Sequence, residues 1–163
     1  MSGQIESLTT YLMKTVPARI QGFFASESLG GQLIPTQKNL GNGFRRLGIA
    51  RQDIELTWEA YPYREYPPAM LHALVLAWLE ESANPLFDEL GLPDPSFEVV
   101  LDTEQQGRGD VTITLELADE LIIIEDPGGD IPLDGTRWRL ETPDIWVAEQ
   151  FGISAVVDHG NKD

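Results

Sequence analysis

Three aspartates recur at every fourth position in Asp126-Pro127-Gly128-Gly129-Asp130-Ile131-Pro132-Leu133-Asp134-Gly135. The run invites a calcium reading, because carboxylate oxygens are what a hard divalent cation takes. Calcium loops, however, alternate their acids at every second residue and close on a glutamate, and this run does neither. The three acids are therefore expected to be solvated turn formers in a Pro/Gly loop. Histidine chemistry is equally sparse. The chain has two histidines, His72 and His159, and neither a metal cluster nor a nucleophile–histidine–acid triad has its partners advertised nearby. With no cysteine there is neither a thiolate site nor a disulfide, which suits a reducing cytoplasm. The glycine groups follow no strand-to-helix pattern that would cradle a phosphate. Carboxylate pairs such as Glu80-Glu81 are too common in so acidic a chain to carry meaning. An enzyme would need an apolar pocket with convergent polar groups, and no matched set is present, so the expectation is a non-enzyme with no cofactor and no metal.

The remaining polar candidates suit contact rather than catalysis. Arg45-Arg46 is the one adjacent basic pair in a chain of net charge -16, from 27 acids against 11 bases. In that context Arg45 and Arg46 are candidates for pairing with an acidic face of a neighbouring copy. Gln105, Gln106 and Arg108 lie in Thr103-Glu104-Gln105-Gln106-Gly107-Arg108-Gly109, a polar, glycine-rich loop of the kind that projects. The charge argues against a surface that grips nucleic-acid phosphates. It fits plain solubility, or a surface that nucleic acid passes without sticking. The acids are spread over both halves of the chain, so they do not form an acidic tail.

The elements that must carry these residues follow from periodicity. Leu8, Leu12, Val16 and Ile20 fall at helical spacing, with Ser7 as an expected N-cap and Pro17 ending the helix near Thr15 before a shorter turn. Ser28 to Gly48 holds Gly30-Gly31, Pro35 and Gly41-Asn42-Gly43, a density of turn formers that predicts a short-armed hairpin or a loop and no long regular element. In Asp53 to Tyr61, Ile54, Leu56, Trp58 and Ala60 alternate with polar residues, the signature of a half-buried strand. Tyr61, Tyr63 and Tyr66 are expected to pack with hydroxyls in water. Pro68 opens a helix to about Ser82, with Leu71, Leu74, Val75, Trp78 and Leu79 as its core stripe and Asn84-Pro85 ending it. Ala73 to Leu79 reads as a buried helix, since neither it nor any other apolar run reaches membrane-spanning length. Met1 to Glu6 carries an acid where a signal peptide carries bases, so export by that route is not expected.

Strands beginning at Phe97 and Val111 alternate and are predicted to pair as an antiparallel hairpin about the Thr103–Gly109 loop. Ala118-Asp119-Glu120 is expected to turn the chain into a separate strand, Leu121 to Ile124, buried on both faces. Asp126 to Asp134 reads as an irregular connection. Thr136–Glu141 and Ile145–Val147 add one or two short edge strands, and Gly160–Asp163 should fray. The expectation is one α/β (α+β) domain over 1–163, with 126–163 as a C-terminal extension. A mixed, largely antiparallel sheet of four to five strands is covered by two main helices.

Leu74-Val75-Leu76-Ala77-Trp78-Leu79-Glu80-Glu81-Ser82-Ala83-Asn84-Pro85, after an alternating strand and before a hairpin, resembles the tail completion protein R family of Peduovirus-type contractile-tailed phages and related prophages. Ser7-Leu8, leading a helix that runs into a proline before Leu29 to Ile34, is similar too. The resemblance covers Ser7 to Glu125, and past Asp126 the chain departs from the pattern. It implies a tail terminator-like structural protein of the virion tail, assembled in the bacterial cytoplasm. That protein would cap the head-proximal end of the tail tube and prepare it for head joining. By analogy the implied partners are tail tube and sheath proteins, head connector proteins and further copies in a ring such as a hexamer, with DNA passing through unbound. The contact loops would be Gln37–Arg46 and Thr103–Gly109. The competing reading is an acidic binding or inhibitor module for a basic host protein, which needs acids such as Glu55, Glu59, Glu98 and Glu116 on one contiguous face.

Overall fold

The computed structural model describes residues 3–141 and 149–151. Three antiparallel strands dominate it: β1 (Phe23–Gly41), β2 (Phe44–Tyr61) and β4 (Gly109–Glu125), of 19, 18 and 17 residues. At about 3.4 Å per residue each spans roughly 60 Å, about three times an ordinary strand. The shorter elements are α1 (Gln4–Thr15), α2 (Ala18–Gln21), α3 (Pro68–Ser82), α4 (Leu86–Glu89), β3 (Ser96–Leu101), β5 (Ile131–Leu133), β6 (Thr136–Leu140) and β7 (Glu149–Phe151). The sheet runs β5-β6-β4-β2-β1-β7, and β3 shares the outer edge of β4 with β6. Every described pairing is antiparallel, which corrects the expectation of a mixed sheet, and seven strands among the described residues replace the expected count of about four to five.

Alternation builds the main core. The register Phe24↔Trp58↔Val111 stacks one large apolar residue per strand on the inner face, with Leu56 and Ile113 paired beside them. Phe24 and Trp58 lie ring on ring at 4.6 Å. Ile5, Leu8 and Leu12 of α1 and Leu71, Val75 and Trp78 of α3 close over this face. The polar atoms brought inside are satisfied: Trp58 Nε1 donates to Gln21 Oε1 at 3.2 Å, and Gln21 Nε2 donates to the Leu12 and Val16 carbonyls at the frayed end of α1. Exceptions among the described residues are Gln52 Oε1, His72 Nε2 and the Tyr61 hydroxyl, which is buried rather than wet as predicted; burial raises the Tyr61 pKa, and Tyr66 alongside adds to the shift.

A second, smaller core lies on the opposite face. Register parity puts Ile49 and Ala118 on the side away from Ile54 and Leu117, and there Leu86 and Leu92 cover them. The chain therefore crosses the outer edge of β4 after α3. Asn84 makes the crossing, donating through Nδ2 to the Ala118 carbonyl at 2.9 Å and capping Leu86 through Oδ1 at 3.1 Å.

Several expectations are overturned. Ser7 is not the cap of α1: the helix starts at Gln4, whose N–H donates to both oxygens of Asp119 at 3.2 Å, while Ser7 Oγ accepts from Trp78 Nε1. A carboxylate from a distant strand does the capping because the positive end of the helix dipole lands on it. Ser28 to Gly48 is not loop. β1 runs straight through Gly30-Gly31 and Pro35, with register shifts at Ser28/Gly31, Pro35/Lys38 and Asn39/Gly41 absorbing the awkward residues. Gly31 is required there, since a Cβ would collide with the Arg51 carbonyl. Ala118-Asp119-Glu120 does not turn; β4 is continuous, and of Leu121 to Ile124 only Ile123 is buried, the others being half-buried. Within Asp126–Asp134, β5 forms a hairpin with β6. Ala73 to Leu79 is not a buried helix segment: Leu76 is 58% exposed, and Ala73 and Ala77 are exposed with it. Ile145–Val147, His159 and Gly160–Asp163 lie outside the described residues.

Candidate assembly surfaces

Beyond Ser28 on β1 and before Gln52 on β2 the three long strands run out past α1 and α3 as an arm. From Leu29 to Gly41 no residue of β1 is buried, and Leu29 and Leu33 are among the most exposed large hydrophobic residues. Asn42 and Gly43, both at positive φ, make the tight two-residue turn that matches strand twist, and Asp134-Gly135 does the same between β5 and β6. The two turns are tied together. Arg45 reaches Asp134 at 2.7 Å with its guanidinium 5.0 Å from the centre of the Trp138 ring, and Trp138 Nε1 donates to the Leu133 carbonyl at 3.1 Å. Arg46 pairs with Glu120 at 2.9 Å and donates to the Thr36 carbonyl and hydroxyl. Both arginines therefore have partners inside the chain, where they brace β1, β2, β4 and the β5–β6 turn. Asp126 caps the Gly128 N–H at 2.9 Å and lies 3.4 Å from Arg139, so Asp126 and Asp134 act as turn formers.

Gln105, Gln106 and Arg108 sit at the other end of β4. Asp102 accepts from the backbone of Glu104 and Gln105, which gives the loop a fixed root, and Gln105 and Gln106 project into solvent. Arg108 is half-buried, with Nη1 3.5 Å from the Ala60 carbonyl. Ala60 itself is held at φ 53° where β2 bulges, and its N–H donates to Asp110 Oδ1. Gly109 pairs with Tyr61, whereas Ile122 and Ile123 pair with Arg46 and Arg45. The two candidate groups are thus not brought together; they stand at opposite ends of one strand, roughly 45 Å apart at strand rise.

Between these ends the outer face collects acids. Cross-strand register places Glu55 beside Thr114, Glu98 beside Thr112, Asp53 beside Glu116 and Glu59 beside Phe23, all on the side away from Ile54 and Ile113. Arg51 answers two of them, at 2.8 Å from Asp53 and 3.0 Å from Glu116, and the Asp53 hydrogen bond foremost keeps its guanidinium charged.

A surface missed by sequence reasoning lies on the edge between α3 and β3. There a groove of about 220 Å³ is lined by His72, Val75, Leu76, Pro95, Ser96, Phe97 and Ile113. The His72 imidazole packs on the Phe97 ring at 4.2 Å, its Nε2 is buried without a partner among the described residues, and burial lowers its pKa. Among the described residues, no Asp, Glu, Lys or Arg lines the groove. The available signal was that α3 is apolar on every side, which demands a partner on every side.

A relative from Haemophilus phage HP1 (strain HP1c1), described as an uncharacterized 19.2 kDa protein in the rep-hol intergenic region, is 27% identical over 155 residues, covering 94% of this chain and 91% of that protein. No solved structure matches the chain. The family model for P2 phage tail completion protein R (GpR) matches residues 3–143, past the Glu125 limit expected from the sequence and through the β5–β6 hairpin. With strands, helices and both candidate contact regions inside that span, the chain belongs to the P2 phage tail completion protein R family.

Proposed function

We propose that this protein completes the phage tail by capping the head-proximal end of the tail tube and presenting its far side to the head connector, acting as a single-domain subunit of a closed ring. The observation that carries the reading is polarity. The Gln37–Arg46 segment at the arm tip and the Thr103–Gly109 loop are both exposed, both rooted in β4 or its partners, and held at opposite ends of the sheet. A subunit that joins two different structures needs two such ends. A rigid strand ladder keeps them at fixed separation. In this reading Arg45 and Arg46 hold the shape of the tip, and Gln105, Gln106 and Arg108 offer donors and acceptors at the other end.

Shortening either loop by a few residues tests the role. Electron microscopy of particles made with each variant is expected to show tails that are unattached or wrong in length, and normal infectious particles from both deletions would sink the proposal. The shared acidic face supports a lumen that repels DNA phosphates so that the genome slides past. Glu55→Gln with Glu98→Gln and Glu116→Gln should then slow DNA ejection without altering assembly. The same face supports a second reading, an inhibitor of a basic host protein. That reading requires normal tails in a phage lacking this chain.

A further inference from the structure

Charge along the chain is segregated in a way that net charge hides. Ser28 to Gln52 contains no acid and carries Lys38, Arg45, Arg46 and Arg51. Glu65 to Gly107 contains nine acids and neither lysine nor arginine. In the fold the first stretch is the β1–β2 arm, and the second holds α3, α4 and β3 with the apolar groove between α3 and β3. Each carries an open strand edge among the described residues. β1 has β2 on one side and β7 only along Phe24–Ser26, and β3 has β4 on one side alone.

We propose that the arm of one copy docks along the β3 edge and α3–β3 groove of the next, placing leucines such as Leu33 on the apolar groove and the acid-free β1 edge beside the base-free stretch that frames it. Both surfaces are apolar where they are most exposed: Leu33 is 71%, Phe97 63%, Leu76 58% and Leu101 56% exposed. Both offer unpaired backbone groups, the usual template for strand addition. The occupant is a second copy because the chain supplies its own complement. For a molecule of net charge -16, most self-contacts bring acids together, and the acid-free arm is the long edge that approaches the base-free groove without that repulsion. Arg45, Arg46 and Arg51 have internal partners, which leaves Lys38 as the arm cation without an ion pair among the described residues. Donor and acceptor are different surfaces of one subunit, so the contact is head-to-tail and closes into a ring or continues as a filament. The inference rests on the assembly role proposed above and identifies which surfaces assembly uses.

The natural absence of cysteine makes the test direct. L33C and F97C, both at exposed positions, are prepared separately, mixed, and oxidised over a concentration series. The expected result is a mixed L33C–F97C dimer that neither variant forms alone. Self-association measured by sedimentation should weaken about tenfold or more in Leu33→Glu, the loss of one buried leucine, and not in Met13→Glu, a control on the exposed side of α1. Circular dichroism confirms that each variant is folded. Cross-links between like positions only, or no cross-link at any concentration, would overturn the proposal. A cross-link without any tail defect in a deletion phage keeps this contact and removes the tail role. A tail defect without the cross-link does the reverse.

Discussion

Between Phe23 and Ser28 on β1, and between Gln52 and Tyr61 on β2, residues alternate between burial under α1 and α3 and a polar outer face; from Leu29 to Gly41 the same β1 buries nothing. The strands are continuous across that boundary, so backbone hydrogen bonding is shared while the source of stability changes. In the helix-covered half it is removal of apolar surface from water, centred on Phe24, Trp58, Leu8 and Leu71. In the arm it is the small Ile49–Ala118 cluster under Leu86 and Leu92, together with turn chemistry at Asn42-Gly43 and Asp134-Gly135, glycine at close approaches, and the Arg45 and Arg46 clamps. The two halves thus share strand pairing and differ in how much of the sheet is covered. One half of the sheet is closed over by α1 and α3, whereas in the other a small cluster around Ile49 and Ala118 is covered and the β1 stretch from Leu29 to Gly41 has no buried residue.

The sharpest break in the comparison comes from the core. Trp58→Ala should cost about 3–5 kcal/mol and lower the denaturant midpoint of the whole chain, because it empties a fully buried site and strands the Gln21 amide. Gly31→Val should cost about 1–3 kcal/mol, since the new side chain meets the Arg51 carbonyl. Hydrogen exchange would locate that cost: arm amides should speed up while those around Leu56 stay protected, and uniform loss of protection would show that the two halves are one cooperative unit. Arg45→Ala should cost about 0.5–1 kcal/mol, the scale of a partly exposed ion pair with a cation–π contact. A double-mutant cycle with Asp134→Ala reports the ion-pair share.

The smallest effect is a slope. Asp119 is pushed up from the usual carboxylate range by burial, partly offset by the Gln4 N–H. The folded state therefore holds this proton more tightly than the unfolded state, and stability should fall as pH rises from the unfolded carboxylate pKa through the raised folded one. Asp119→Asn should flatten that part of the profile. An unchanged slope would mean that capping of α1 compensates fully for burial.

Legibility followed locality. α3 from Pro68 to Ser82, the Pro17 break and the β3–β4 hairpin are legible because proline, alternation and helical spacing act within one or two turns of chain. β1 is not, because only the partner strand supplies the bulges that accommodate the turn formers at Gly30-Gly31 and Pro35. For the same reason Ala118-Asp119-Glu120 passed for a turn, although Asp119 is in the strand because it caps a helix 115 residues away in sequence. Of the contact candidates, Gln105 and Gln106 were legible as exposed loop residues. Arg45 and Arg46 were visible as cations, but their partners Asp134 and Glu120 were not.

The sequence alone determined the alternating strands, the apolar helix, the absence of cysteine chemistry, the family resemblance, and a charge distribution in which acid-free and base-free stretches are already separate. Those are properties of neighbouring residues and of their order. Only the tertiary structure decided that the β1 part of the acid-free stretch is left unburied, that the base-free stretch frames an apolar groove, and that the two candidate contact regions lie at opposite ends of β4. These outcomes depend on strand register and on which face each helix closes, which long-range pairing fixes and local preference does not.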